Sequence, residues 1–239
     1  MTGLPESIRT ALFDLDGVLT PTAKLHAAAW KEMFDDVLRQ RDGDGFRSFD
    51  KVADYDEYVD GKPRTDGTRD FLASRGIHLD DKEIEELSER KDEIFLAKVD
   101  TDGVKPYPGS LRYLHAVRDA GLRTAVVSSS RNCLQIIRSA GIEDLFDVRI
   151  DGVVAAEDNL RGKPHPDTFL AAAHRLRTEP VYAAVFEDAT AGVAAGKAGD
   201  FGYIVGVNRI DGPGEHGHSD DLSKHGATVV VRDLEELLA

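Results

Sequence analysis

The sequence holds one cysteine, two methionines and one tryptophan in 239 residues. A lone thiol, Cys133, excludes an intrachain disulfide and fits a reducing cytoplasm. Long apolar runs are missing too. The longest uncharged one, Val181–Phe186, falls far short of the ~20 residues a membrane-spanning helix needs. Residues 1–10 carry no apolar signal-peptide core. Positive charge is scarce: 30 Lys and Arg stand against 44 Asp and Glu, a net charge of −14. Such a chain repels nucleic acid and anionic membrane alike. There is no internal repeat and no low-complexity segment. With 41% hydrophobic residues, what remains is a soluble cytoplasmic protein of one or two domains.

The apolar runs that are present are short. Thr10–Leu15, Thr124–Val127, Val181–Phe186, Tyr203–Val207 and Thr228–Val231 read as buried strands. Helical periodicity separates them at Ser110–Asp119, Asn132–Ala140, Pro166–Leu176 and Ala191–Ala198. Strands alternating with helices predict an α/β fold, a Rossmann-like parallel sheet with crossover helices. Residues 22–99 break the alternation. Their stripes, Leu25, Ala29, Met33 and Val37, then Ile84, Leu87, Ile94 and Phe95, are helical. The expectation is a core of residues 1–19 and 102–239 with a helical domain, residues 20–101, inserted after the first strand. Residues 41–60 and 80–93 supply −9 of the −14, which predicts a solvated outer face on that domain.

The chemistry concentrates where strands end. In Asp14-Leu15-Asp16-Gly17-Val18, alternation turns Asp14 and Asp16 to the same side of the chain. Two close carboxylates call for a cation or a shared proton, and carboxylate oxygens suit Mg²⁺. A solvated Asp turn is the bland alternative. Ser128, Ser129 and Ser130 follow the second strand, Lys163 precedes a helix, and Glu187-Asp188 end the fourth strand. Hydroxyls, backbone N–H groups and a lysine hold phosphate, and open α/β sheets bind ligands at this edge.

These four motifs, in this order, resemble those of the haloacid-dehalogenase-like phosphotransferases. The resemblance runs from about Thr10 to Leu238. It implies Mg²⁺-dependent phosphoryl transfer through an aspartyl-phosphate and a C1 cap, the inserted helical domain. By that resemblance Asp14 is the nucleophile and Asp16 the general acid/base. Asp14, the backbone carbonyl of Asp16, and Asp188 hold the metal, with Glu187 beside them; Ser128 and Lys163 hold the transferring phosphoryl group.

Within the family the cap is similar to that of the β-phosphoglucomutase-like branch. The segment from Thr20 through His26 to Trp30 resembles its hinge and first cap helix. Asp60-Gly61-Lys62-Pro63-Arg64 resembles its specificity loop, with Arg64 placed for a second phosphate, and Lys91 matches a cleft lysine. Ser129, Ser130, Arg131 and Asn132 sit where that branch contacts sugar or phosphate. His26 shares a helix face with Trp30 and Met33, where packing is the bland role; the resemblance makes it a partner of Asp16. The implied reaction converts β-D-glucose 1-phosphate to glucose 6-phosphate through β-glucose 1,6-bisphosphate. The expected partner is a small sugar phosphate, with no nucleic acid, no membrane and a monomeric chain. Pro21 and the long segment Arg41–Asp54 depart from the branch and leave the exact sugar open. The alternative is a Mg²⁺-dependent sugar-phosphate phosphatase; a phosphonatase would need an imine-forming lysine in the cap loop, where this chain has Arg64 with only Lys62 nearby, and a non-catalytic sensor would not need the intact carboxylates. Three further features carry less: Gly212–Gly217 matches G-x-G-x-x-G outside a βαβ unit, His216, His218 and Asp220 read as a mobile polar loop, and Cys133 reads as a structural thiol.

Overall fold

A computed structural model describes residues 2–210 and 215–238. Six strands form one parallel sheet: β1 (Thr10–Phe13), β2 (Arg123–Val127), β3 (Val148–Ile150), β4 (Ala183–Glu187), β5 (Tyr203–Val207) and β6 (Val229–Val231). Their order across the sheet is β3-β2-β1-β4-β5-β6. The chain starts at the centre, grows to one edge, then returns to the other side of β1. That reversal creates a crevice outside the carboxyl ends of β1, β2 and β4.

Alternation along β1 explains why it reads as a continuous apolar run. Ala11 and Phe13 face one layer with Tyr113, Leu114 and Val117 of α4 (Pro108–Asp119) and Ile136 of α5 (Cys133–Ser139). Leu12 faces the other with Phe169 of α7 (Asp167–Arg175) and Val193 of α8 (Thr190–Ala198). Both faces are buried, so beyond Thr10 the strand carries only apolar side chains. Between them, α6 (Gly152–Glu157) follows β3, and α9 (Glu215–His225) precedes β6.

Three local expectations are corrected. β4 starts at Ala183, because Pro180–Tyr182 forms a short 3₁₀ turn that leaves Val181 51% exposed. β3 was not anticipated: it is a three-residue edge strand with Arg149 at its centre, too short and too polar for an apolar-run signal. His218 and Asp220 lie in α9 rather than in a loop. Residues 211–214 of the G-x-G-x-x-G match, and the His216 side chain, lie outside the described residues.

Helices α1 (Thr22–Asp42), α2 (Arg64–Ser74) and α3 (Asp81–Asp102), with a π-helical turn at Tyr55–Val59, fill the interval between β1 and α4. They build their own apolar cluster around Trp30, Met33, Phe34, Phe49, Phe71 and Ile84. Asp80 caps α3 through a reciprocal capping box with Glu83. The acidic runs are not wholly on the outer face. Asp54 is buried against Arg75 at 2.7 Å, while Asp60 and Asp92 line the cleft between insertion and core.

Candidate active site

β1 ends one residue before Asp14, whose N–H still donates to the Phe186 carbonyl at 2.9 Å. The chain then turns sharply. Gly17 adopts φ +82°, and its N–H donates to the Thr20 carbonyl at 2.8 Å. A side chain at Gly17 would be strained there and would also collide with the Asp188 carboxylate. The turn thus sets Asp14 and Asp16 against the end of β4, where Glu187 and Asp188 stand.

Lys163 joins these groups from the loop before α7. Its Nζ lies 2.5 Å from Asp14 Oδ1 and 2.5 Å from Glu187 Oε1, and it donates to the Val127 carbonyl at 3.2 Å. Burial opposes charge on Lys163, but Asp14 and Glu187 outweigh it and hold the ammonium protonated. Ser128, at the end of β2, directs Oγ toward Asp16 Oδ2 at 3.4 Å and accepts from the Ser130 N–H at 3.1 Å.

Asp16 faces the insertion. It accepts from Thr22 Oγ1 and from His26 Nε2, the latter at 3.3 Å. Lys91 Nζ lies 2.6 Å from His26 Nδ1. The ionised Asp16 carboxylate only accepts, so Nε2 carries the ring proton and Nδ1 accepts from Lys91. The imidazole stacks on Phe95 at 3.8 Å, and Lys91 lies 4.9 Å from the centre of the Trp30 ring. Burial opposes ionisation of Asp16, but His26, Thr22 and Lys91 overcome it and bring the carboxyl to about 2. Lys91 is 3% exposed; burial, with Arg64 nearby, lowers it to about 7 despite Asp92. Burial and then Lys91 lower His26.

The insertion closes over the core through backbone and side-chain contacts. Ser129 Oγ donates to the Gly61 carbonyl at 2.7 Å. A Cβ on Gly61, at φ +68°, would lie 3.0 Å from the Ala189 side chain, and one on Gly162 would strike Pro63. Asn132 Nδ2 donates to Asp92 Oδ1 at 2.7 Å, and Arg64 Nη1 pairs with the same oxygen at 2.6 Å. Arg131 stands 4.0 Å from Glu85. The cleft, about 830 Å³, is lined by Asp14, Asp16, Lys163 and Asp188 from the core and by Trp30, Arg64 and Lys91 from the insertion.

The donor set suits a hard divalent cation. Among the described residues, oxygens of Asp14, Glu187 and Asp188 all lie within 4.8 Å of one another. Burial and neighbouring carboxylates push Asp14 and Asp188 well above the ordinary range, although Lys163 opposes this at Asp14. An all-oxygen cluster short of positive charge is what Mg²⁺ favours. The Asp16 side chain is outside this cluster, turned to His26 and Thr22, which leaves only its backbone carbonyl for a cation.

Sequence reasoning missed Thr22, Tyr55, Asp60 and Asp92. Asp60 stood both in the specificity-loop resemblance and among the outer-face charges, with no role of its own; burial, then Asp56 and Glu187, raise it to about 8 beside Tyr55. Its position immediately before Gly61 was the available signal. Cys133 is buried and its thiol is pushed up by that burial, which makes it inert. His218 Nε2 sits 2.8 Å from the Asp188 carbonyl, so it engages backbone.

A family model described as a haloacid dehalogenase-like hydrolase matches residues 8–200. The chain is 48% identical over 248 residues to proteins of Mycobacterium bovis and Mycobacterium tuberculosis named beta-phosphoglucomutase, covering 99% of this chain and 94% of theirs. It is 30% identical to a validoxylamine A 7'-phosphate phosphatase of Streptomyces hygroscopicus subsp. limoneus, over 96% and 95% of the two chains. A solved beta-phosphoglucomutase from Clostridium difficile superposes with a TM-score of 0.77 at 27% identity, covering 96% of this chain and 93% of that one.

Proposed function

The chain belongs to the haloacid dehalogenase-like hydrolase family, and from that premise we propose that it is a β-phosphoglucomutase. It interconverts β-D-glucose 1-phosphate and glucose 6-phosphate through β-glucose 1,6-bisphosphate and an aspartyl-phosphate. Residues 20–101 are its cap and the remainder its core. The observation that carries the reading is one cleft with cationic groups at both faces: Lys163 with Ser128 on the core, Arg64 on the cap. A mutase must anchor one phosphate while the other transfers; a phosphatase needs only one such site.

Asp14 is the nucleophile. An Oδ attacks phosphorus, a new P–O bond forms, and the bond to the leaving oxygen breaks. Asp16 gives the leaving oxygen a proton that it took, in the preceding half-reaction, from the acceptor hydroxyl as that hydroxyl attacked the aspartyl-phosphate. An Asp16 held near 2 rests ionised, so it is ready to take that proton. Its orientation comes from Thr22 and from His26, whose Nδ1 accepts from Lys91. Lys163 and Ser128 hold the phosphoryl oxygens, and Lys163 restrains Asp14 at 2.5 Å. Asp14, Asp188 and the Asp16 carbonyl, with Glu187 beside them, would hold Mg²⁺, which supplies positive charge where an anionic nucleophile meets an anionic phosphate.

Arg64 anchors the distal phosphate together with Ser130, Arg131 and Asn132. Arg64 and Asn132 already converge on the Asp92 carboxylate, so donors from cap and core are directed at one anion-sized position. Gly61, Ser129 and Trp30 line the space for the sugar.

The test is a panel of sugar phosphates with Mg²⁺ and a bisphosphate primer, assayed for phosphate release and for glucose 6-phosphate. Glucose 6-phosphate from the β-1-phosphate, outpacing free phosphate, is the expected result. Phosphate release alone would leave the phosphatase reading standing in its place.

A further inference from the structure

The end of β5 carries a residue that no step above uses. Arg209 lies two positions beyond Val207, with its side chain mostly buried. Its five N–H groups meet five acceptors. Nε donates to the Gly17 carbonyl at 2.8 Å; Nη2 donates to the Val18 carbonyl at 3.1 Å and to Ser110 Oγ at 2.7 Å. Nη1 donates to Asp233 Oδ2 at 2.8 Å and to the Arg232 carbonyl at 3.3 Å. The guanidinium plane lies 3.7 Å from the centre of the Tyr107 ring.

Gly17, Val18, Tyr107 and Ser110 belong to the two chain segments that connect core and cap, while Arg232 and Asp233 are C-terminal. One segment is the turn after Asp16, the other the start of α4. They also hold each other: Ser110 Oγ donates to the Val18 carbonyl at 2.6 Å, and the Tyr107 N–H donates to the Leu19 carbonyl at 2.8 Å. Gly109 leaves room for Asp233, whose carboxylate a side chain there would strike. Gly17 and Val18 are buried, so their carbonyls need a partner. A planar fork can serve two carbonyls, a hydroxyl and a carboxylate at once; a lysine ammonium cannot span them.

We propose that Arg209 is a positioning residue for phosphoryl transfer. It fixes the Gly17–Val18 turn, and through it Asp14, Asp16 and the Asp16 carbonyl, in register with Asp188. It also joins both connecting segments to the C-terminal residues as one rigid hinge. The proposal rests on the functional reading above, because the register matters only if these groups act together.

Arg209→Ala and Arg209→Lys test it, with amide hydrogen exchange and steady-state kinetics on folded protein. The Gly17 and Leu19 amides, bonded to Thr20 and Leu15, are expected to exchange faster in both variants, while amides of α3 keep their wild-type rates. A displaced nucleophile costs on the order of a hundredfold in kcat with little change in KM. Millimolar guanidinium is expected to restore part of the loss in Arg209→Ala, which a purely structural role would not allow. Arg209→Lys, the milder change, carries the test if Arg209→Ala does not fold. Unchanged exchange at Gly17 and Leu19, or a kcat loss explained wholly by lost folded protein, would overturn it. If the unsubstituted protein isomerises nothing, the functional reading fails instead, and the exchange rates alone still judge Arg209.

Discussion

At the residue scale the site is a set of ionisable groups that hold one another in defined states. Lys163 bridges Asp14 and Glu187, so it restrains the proposed nucleophile and stays charged at the proposed phosphoryl site. Asp14→Asn keeps the shape and removes the nucleophile. Turnover is expected to fall by roughly 10³-fold or more, with no acid-stable label left on the protein from a phosphate donor. Lys91 gives a different readout. Its folded value of about 7 lies below its ordinary 10.5. Between those values the unfolded chain binds a proton that the folded chain does not, so stability rises with pH across that window. The slope is at most about 1.4 kcal/mol per pH unit. Lys91→Met is therefore expected to flatten the rise in denaturation midpoint between pH 7 and 10, when compared with the unsubstituted protein. An equal slope in both would mean that Lys91 titrates normally. The motif carboxylates were legible in the sequence because D-x-D-G after an apolar run is a local signal. The shift of Asp60 was not, since it depends on Tyr55, Asp56 and Glu187 meeting only after folding.

At the element scale, strand ends deliver chemistry and helix ends give stability. β1, β2 and β4 each place polar residues directly beyond a buried run. The capping box of α3 lies eleven residues before Lys91, about 16 Å along the helix at 1.5 Å per residue. Asp80→Ala is expected to cost about 1 kcal/mol of stability. Chemical denaturation should report that loss, and kcat should hold, because Asp80 bonds Glu83 at the helix start and does not line the cleft. A fall in kcat at full folding would show that the helix start is coupled to the site. Long elements were readable from periodicity, as α1 and α3 show. The three-residue β3 was not, because its pairing with β2 is what makes it a strand. β4 lost its first two expected residues for a local reason, Pro180, that the apolar run concealed.

At the scale of the molecule, function depends on two bodies meeting. The loop at Gly61 reaches the core through Ser129, and Arg64 and Asn132 share Asp92 across the cleft. Arg64→Ala is expected to lower isomerisation by about tenfold or more, the value of one charge-assisted hydrogen-bonded contact. Phosphate release from a small ester that has no second phosphate should fall less. A parallel fall in both would remove Arg64 from the distal site. The net charge of −14 is compatible with an anionic substrate, since Lys163, Arg64 and Lys91 line the cleft while most acids lie outside it. The sequence by itself determined the parallel α/β sheet, the four motifs at its carboxyl edge and the helical character of the insertion. Periodicity and strand-end chemistry are local, and local patterns survive without coordinates. Only the tertiary structure decided that Lys91, His26 and Asp16 form one chain of contacts, that Asp60 and Asp92 face inward, and that Arg209 holds the hinge. Each of those depends on residues far apart in sequence that meet only in the folded chain.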